Sequence, residues 1–184
     1  GPAALRLCHW THDRSAIAAG VHGAMLARSA GDKVPIASER GYHVVVSSPE
    51  AGPRIPIMPS DGKMANTMTT RGLRVAGQVE LAGIDDAPDW RRAEILLKHL
   101  QTAYPGLPRM LPESRLSRWM GHRPSTPDGL PVIGLASGCR DIGYAFGHGH
   151  VGLAAGPISG QLAADLLLGR TPLVDLGPYA PTRF

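Results

Sequence analysis

The stretch Tyr144-Ala145-Phe146-Gly147-His148-Gly149-His150-Val151-Gly152-Leu153 decides how the last third of the chain folds. The apolar residues that lead into Gly147 predict a short buried strand, and the apolar residues after Val151 predict a long helix over 151–168. Glycines between a strand and a helix allow a tight turn and let a flat ligand or another backbone approach closely. The turn also directs the free N–H groups and the positive dipole end of the helix toward that ligand.

The glycine spacing in this turn resembles a phosphate-binding motif by letter, because Gly147, Gly149 and Gly152 match G-x-G-x-x-G. In a dinucleotide-binding unit, a second strand and an acidic residue follow about 20 residues later. Here the helix is followed by a proline-containing tail, so no strand–helix–strand unit is completed. We therefore expect a ligand at this turn other than a pyrophosphate bound in its own Rossmann unit.

Composition excludes several classes of function. The chain has 184 residues and a formal net charge of +4, with its basic residues scattered, which argues against a nucleic-acid surface or a polybasic membrane patch. Cys8 and Cys139 lie far apart, which indicates a reducing compartment and neither a disulfide scaffold nor a zinc site. No apolar run reaches the roughly 18 residues of a membrane span, and no signal peptide is predicted.

The rest of the chain alternates short strands with two further helices. Of the predicted strands, 73–81 has the clearest alternation, with Leu73, Val75, Val79 and Leu81 assigned to one buried face. A proline within 55–58 predicts an edge strand there. The predicted strands are 5–10 and 15–19 as a hairpin, 34–36, 41–46, 55–58, 64–70, 73–81, 115–121, 131–134 and 142–146; the predicted helices are 23–30, one beginning near Asp86 or Asp89, and 151–168. This order predicts an α+β fold with a mixed, largely antiparallel sheet and covering helices.

Several segments together resemble one enzyme family. They are Trp119-Met120-Gly121-His122-Arg123-Pro124-Ser125-Thr126-Pro127-Asp128-Gly129-Leu130-Pro131-Val132-Ile133-Gly134, Ser38-Glu39-Arg40-Gly41-Tyr42-His43, Gly147-His148-Gly149-His150-Val151-Gly152-Leu153 and the tail 179–184. In this order they resemble the FAD-dependent D-amino-acid oxidase and dehydrogenase family. Residues 71–80 most resemble bacterial D-amino-acid dehydrogenases. The resemblance runs from about Ser15 to the end of the chain.

The resemblance implies a domain plan. It covers about the second half of the family, whose members open with a G-x-G-x-x-G unit for the ADP part of FAD, and nothing before Ser15 resembles that unit. We therefore expect a C-terminal portion of such an enzyme. Residues 1–31 would end the FAD-binding domain, 32–122 would form the substrate-binding domain, and 123–184 would return to the FAD-binding domain with its last strands and helix.

The resemblance also assigns site residues. Arg123 matches the arginine that binds the substrate carboxylate, and Pro124 keeps it in an extended conformation; the alternative is an arginine that pairs with a neighbouring acid. Tyr42 and His43 are candidates for the substrate pocket, although either has an equally good structural role on an alternating strand. The FAD contacts implied by the family are Gly20, Gly149, His150, Val151, Gly152 and Leu153. No catalytic residue is assigned, and the spacing of His148 and His150 without a third ligand argues against a metal site.

The chemistry implied by the family is the oxidative deamination of D-amino acids to 2-oxo acids and ammonia with FAD as cofactor. Two alternatives remain open: an enzyme related to glycine or sarcosine oxidase that passes electrons to oxygen, or a truncated, non-catalytic domain.

The expected partner is a small-molecule amino acid and no nucleic acid. Dehydrogenases of the family often lie on the cytoplasmic face of the inner membrane, so a cytoplasmic protein with peripheral membrane contact is one expectation. A homodimer formed through an exposed apolar face is another.

Overall fold

The computed structural model describes residues 13–184, which form two compact units. The first unit contains the described residues up to Ile36 together with Thr126–Phe184, and the second unit contains Ala37–Ser125. The predicted segment boundaries lie at 31/32 and 122/123, and the assignment of the segments to FAD and substrate domains stays a prediction. The predicted strand 5–10 lies outside the described residues.

The described elements alternate strands and helices in the manner of an α+β protein. In chain order they are β1 (Ser15–Ile17), α1 (Gly23–Ser29), β2 (Ala37–Val46), β3 (Met64–Thr69), β4 (Gly72–Leu81), α2 (Arg91–Ala103), β5 (Leu116–Ser125), β6 (Val132–Leu135), β7 (Ile142–Phe146) and α3 (Gly152–Leu167). This confirms the predicted α+β class. None of the helices found in residues 13–184 is long and apolar enough to cross a membrane.

The second unit is an antiparallel sheet with strand order β3-β4-β2-β5, covered on one face by α2. Alternate residues of β2, Tyr42, Val44 and Val46, point toward α2 and are at most 1% exposed. They pack with the apolar stripe of the helix, which includes Leu96 and Leu100, both fully buried. Alternation within the predicted strand 41–46 places Tyr42, Val44 and Val46 on one face and His43 and Val45 on the other, and this prediction agrees with the core.

A β-bulge in β4 overturns one predicted face. The register runs from Arg40 opposite Glu80 to Tyr42 opposite Gly77, so β4 has one more residue than β2 in this interval. Within it, Gln78 has a φ of 61°, a left-handed conformation. The extra residue inverts the alternation, because each further residue then points to the other side of the sheet. Val79 and Leu81, predicted to be buried, are therefore 50% and 74% exposed.

Several predicted strands also differ in extent from the observed ones. Residues 34–36 are not a strand, and β2 begins at Ala37, before the predicted start at residue 41. Residues 55–58 contribute a single bridge, Ile57 to Asn66, because Pro56 supplies no N–H for a ladder. In the opposite direction, β5 continues past the predicted end at residue 121 to Ser125.

The first unit is built on a three-stranded sheet with order β1-β7-β6, in which β1 is parallel and β6 antiparallel to β7. Its core includes Val132, Tyr144 and Phe146. The carboxylate of Asp32, 5% exposed, accepts hydrogen bonds from Ser137 and from the Tyr144 hydroxyl at 2.8 Å. Burial opposes ionisation of Asp32, but these hydrogen bonds outweigh it and lower its pKa. Burial and the bond to Asp32 raise the pKa of Tyr144.

A buried arginine holds the connection between β4 and α2. Arg40 is 0% exposed and donates to the backbone carbonyls of Gly83, Asp86 and Ala87, the last at 3.1 Å. Its guanidinium also lies 3.6 Å from the Glu80 carboxylate. Because the charge is paired and most of its donors are used, Arg40 fixes the loop from which α2 begins.

We predict that Arg40→Met lowers the free energy of unfolding by roughly 3–5 kcal/mol, since it leaves Glu80 and three loop carbonyls without their buried partner. The measurement is urea denaturation of the purified protein followed by circular dichroism. The control is Arg28→Met on exposed α1 surface, for which a change within about 0.5 kcal/mol is expected. Equal effects of the two substitutions would contradict the assigned role of Arg40.

Candidate functional site

The candidate substrate site lies on the face of the second-unit sheet opposite α2, which we call the far face. Side chains that point to one face alternate along a strand, and paired residues share a face. Since Tyr42 points toward α2, its neighbours Gly41 and His43 belong to the far face. Their partners on β5 are Gly121 and Trp119, and Arg123 lies two residues beyond Gly121 on the same face.

Two glycines paired across β2 and β5 make room for large side chains on the far face. Gly41 lies directly opposite Gly121. A Cβ atom at Gly41 would overlap the guanidinium of Arg123, and a Cβ atom at Gly121 would overlap the six-membered ring of Trp119. The guanidinium therefore rests on the backbone of β2 and the indole on the backbone of β5.

Arg123 carries a donor that its own unit does not satisfy. Its Nη1 is buried and, among residues 13–184, has no hydrogen-bond partner. A buried N–H without an acceptor is costly, and the cost is removed when an acceptor binds. A planar guanidinium matches the two oxygens of a carboxylate better than any other side chain does. The arrangement is therefore suited to binding a carboxylate.

An aromatic pair stands beside the guanidinium. The rings of His43 and Trp119 are stacked, with centroids 4.9 Å apart and an interplanar angle of 19°, and Trp119 is 51% exposed. Nη2 of Arg74 lies 3.3 Å from His43 Nδ1. Burial, followed by the charges of Arg74 and Arg71, lowers the pKa of His43, so the ring is neutral at neutral pH. If Nδ1 accepts from Arg74, the proton of the neutral ring is assigned to Nε2.

The structure separates Tyr42 from His43 and Arg123. Tyr42 lies on the α2 face, is 1% exposed and donates its hydroxyl hydrogen to Glu80. The same hydroxyl accepts from the backbone N–H of Asp89 at 3.0 Å. Burial and Glu80 raise the pKa of Tyr42. These contacts are those of a core residue, so the predicted substrate contact of Tyr42 does not agree with its place in the sheet.

The turn at the start of α3 forms a second candidate site, within the first unit. Gly147 and Gly149 have φ values of +81° and +52°, which favour glycine, and α3 begins at Gly152. His148 Nε2 lies 2.8 Å from Ser159 Oγ, which ties the turn to the second turn of the helix. Val151 and Leu153 are 54% and 98% exposed, and His150 is also exposed.

The geometry of this turn fits an electron-rich ring edge. The first N–H groups of α3 have no acceptor within the helix, and they carry its positive dipole end. In the same unit, Gly20 has a φ of +54°, and among residues 13–184 no atom outside Gly20 and its two chain neighbours lies within 4 Å of where a Cβ would stand. Backbone donors and open space of this kind suit a flat anionic group such as a reduced flavin. The predicted FAD contacts of Gly20 and residues 149–153 stay a prediction.

Comparison with protein families identifies the chain. A family model described as FAD dependent oxidoreductase (DAO) matches residues 9–166. The chain belongs to this family. Its members are FAD-dependent, and the predicted relationship to D-amino-acid oxidases and dehydrogenases is confirmed.

Two curated relatives have names that describe reactions of D-amino acids. A D-amino-acid oxidase of Bradyrhizobium diazoefficiens is 54% identical over 172 residues, which is 94% of this chain and 41% of the relative. A D-amino acid dehydrogenase of Rhizorhabdus wittichii is 33% identical over 176 residues, with the same two coverages. The chain thus spans about two fifths of the length of these relatives.

Solved structures agree on the fold. Glycine oxidase from Geobacillus kaustophilus superposes with a TM-score of 0.75 at 22% identity, and it covers 93% of this chain and 45% of its own. Iminodiacetate oxidase from a Chelativorans species gives the same TM-score at 20% identity, with coverages of 94% and 47%. At these identities the likeness establishes the amino-acid oxidase fold and no specific activity.

The sequence contained an unused signal for the far face. Trp119, Gly121 and Arg123 follow each other at every second position, so they share a face if one strand contains all three. Ending the predicted strand at residue 121 left Arg123 outside it and concealed this pattern. The pairing of Gly121 with Gly41 has no local signal, because it depends on the register of two distant segments.

The pKa of His148 leads to a prediction about the turn. Burial lowers this pKa below its ordinary value near 6.5. As the pH falls below that value, the unfolded chain binds a proton that the folded protein resists, so folding becomes less stable. We expect the melting temperature to fall between pH 8 and pH 5.5, and His148→Gln to reduce this fall.

The measurement is differential scanning fluorimetry at both pH values. The matched control is His99→Gln on the exposed surface of α2, which removes a histidine without touching the turn. An unchanged difference in melting temperature for His148→Gln would show that His148 does not couple protonation to folding.

Proposed function

We propose that the protein acts in the FAD-dependent oxidative deamination of D-amino acids to 2-oxo acids and ammonia, with Arg123 binding the substrate carboxylate. The observation that carries the proposal is the buried Nη1 of Arg123, which lacks a partner among the described residues. The names of the two curated relatives support the substrate class.

The role of Arg123 is to bind and orient the substrate. A guanidinium that grips both carboxylate oxygens fixes the position of Cα and lowers the entropic cost of reaching a reactive geometry. FAD, when bound, supplies the acceptor for the hydride that leaves Cα. Gly41 positions Arg123, because the absence of a side chain there lets the guanidinium rest on the strand.

The proposal also covers the two parts of the fold. We assign the far face of the second unit to the substrate and the α3 turn of the first unit, with Gly20, to the flavin. Support for the second assignment comes from the left-handed Gly147 and Gly149 and the exposed first turn of α3.

The electron acceptor is tested by comparing oxygen consumption with reduction of an artificial dye, because one curated relative is named an oxidase and the other a dehydrogenase.

We predict that Arg123→Met lowers kcat/KM for D-amino acids at least about 100-fold, since a charge-assisted, two-point contact to the carboxylate is lost. Arg123→Lys is expected to restore little, because a point charge cannot replace the planar fork. The assay uses the whole gene product loaded with FAD, since this chain spans 41% of the length of its curated relatives.

The matched control is Arg118→Met on the same strand. Arg118 belongs to the α2 face and pairs with Glu113 at 2.6 Å, so its loss should leave kcat/KM within about twofold. If Arg123→Met retained activity at the level of Arg118→Met, carboxylate binding by Arg123 would be refuted.

A second prediction tests the glycine beneath the guanidinium. Gly41→Ala places a Cβ where the guanidinium of Arg123 lies, so the flexible side chain moves with little cost in stability but loses its orientation. We expect kcat/KM to fall about tenfold or more while the melting temperature changes little. In a double-mutant cycle, Gly41→Ala should add no further loss in an Arg123→Met background. Additive losses would place the effect of Gly41 elsewhere.

A further inference from the structure

We infer that Trp119, backed by His43, forms the subsite for the substrate side chain and gives the enzyme a preference for aromatic D-amino acids over cationic ones. This inference rests on the proposed function, because it requires the carboxylate to bind at Arg123. It adds a substrate class and a specificity-determining residue that the carboxylate contact alone does not supply.

The spacing of the two glycines matches the dimensions of an aromatic amino acid. Gly41 and Gly121 are direct cross-strand neighbours, so their Cα atoms are about 5 Å apart. The guanidinium of Arg123 rests on one and the six-membered ring of Trp119 on the other. In phenylalanine, three bonds separate the carboxylate carbon from the ring. A substrate held at Arg123 therefore has its side chain within reach of the indole.

Trp119 is poised to stack. Its six-membered ring lies against the backbone at Gly121 and its indole is stacked with the ring of His43, yet the residue remains 51% exposed. A large, rigid and half-exposed aromatic surface gains from contact with another ring through both area burial and ring geometry. Because its neighbours hold it, little side-chain entropy is lost when a ligand stacks on it.

Charge on the far face opposes a cationic side chain. Nη2 of Arg74 lies 3.3 Å from His43, which is itself neutral, so the net charge behind the aromatic pair is positive. An exposed tryptophan alone would attract a lysine or arginine side chain through its ring face. The guanidinium of Arg74 repels it. Among the described strand residues of this face the one acid is Glu39, which is paired in the register with Arg123 and accepts a hydrogen bond from Ser125 at 2.8 Å.

The test measures binding, so that it does not depend on turnover. Phenylacetate, acetate and 6-aminohexanoate are titrated into the protein and followed by ligand-observed NMR. We expect phenylacetate to bind more tightly than acetate, and Trp119→Ala to weaken phenylacetate about threefold to tenfold while leaving acetate unchanged. Trp119→Phe should retain most of the preference. We expect 6-aminohexanoate to bind no better than acetate in the wild type and to gain affinity in Arg74→Gln.

Trp90→Phe is the matched control, because Trp90 is 43% exposed but lies against Tyr42 on the α2 side of the sheet. Unchanged binding of acetate shows that Trp119→Ala remains folded. The inference is overturned if phenylacetate binds equally well to Trp119→Ala, or if 6-aminohexanoate binds more tightly than phenylacetate. If instead Arg123→Met leaves the binding of all three carboxylates unchanged, the proposed function itself fails. The two failures are thus distinguishable.

Discussion

The candidate site depends on one constraint, the direct pairing of Gly41 with Gly121 across two antiparallel strands. A side chain at either position would occupy the space now taken by Arg123 or Trp119. Glycine in a strand interior costs stability, because it has more freedom to lose and no side chain to pack. Two such residues opposite each other are therefore best explained by the space they leave, in which the Arg123 guanidinium and the Trp119 ring lie directly against the backbone.

Strand alternation then divides the second unit into a stabilising face and a candidate binding face. Tyr42 and Arg40 point toward α2, and most of their polar atoms bond to Glu80 and to the loop before the helix. Their neighbours Gly41 and His43 point the other way, where Arg123 keeps an unsatisfied donor. The far face therefore holds a guanidinium whose Nη1 has no partner among residues 13–184, an arrangement that costs stability unless an acceptor binds there.

Sequence patterns predicted the fold class, α2, β7 and the common face of Tyr42, Val44 and Val46, because these depend on local periodicity. They failed at β4, because the bulge residue with a left-handed conformation is Gln78 and not a glycine, so the sequence does not mark the bulge. The predicted faces of Val79 and Leu81 were therefore inverted. Arg123 was predicted from its motif, and the family comparison agrees with the family that the motif indicated. Trp119 was not among the predicted site residues, because the predicted strand ended at residue 121 and so did not place Trp119 on the same face as Arg123.

The α3 turn of the first unit uses glycine in a related way. Gly147 and Gly149 are in left-handed conformations and have no side chain, so the backbone can turn tightly before the first turn of α3. The contact between His148 and Ser159 ties this turn to the helix. Ligand binding at either site therefore costs little side-chain entropy, because the groups that face the ligand are already held by the backbone or by a buried neighbour. Preorganised donors are worth most where charge changes during a reaction, because they need not reorient. That shared property supports the proposal that the two surfaces bind the substrate and the flavin, because packing alone does not require preorganised donors.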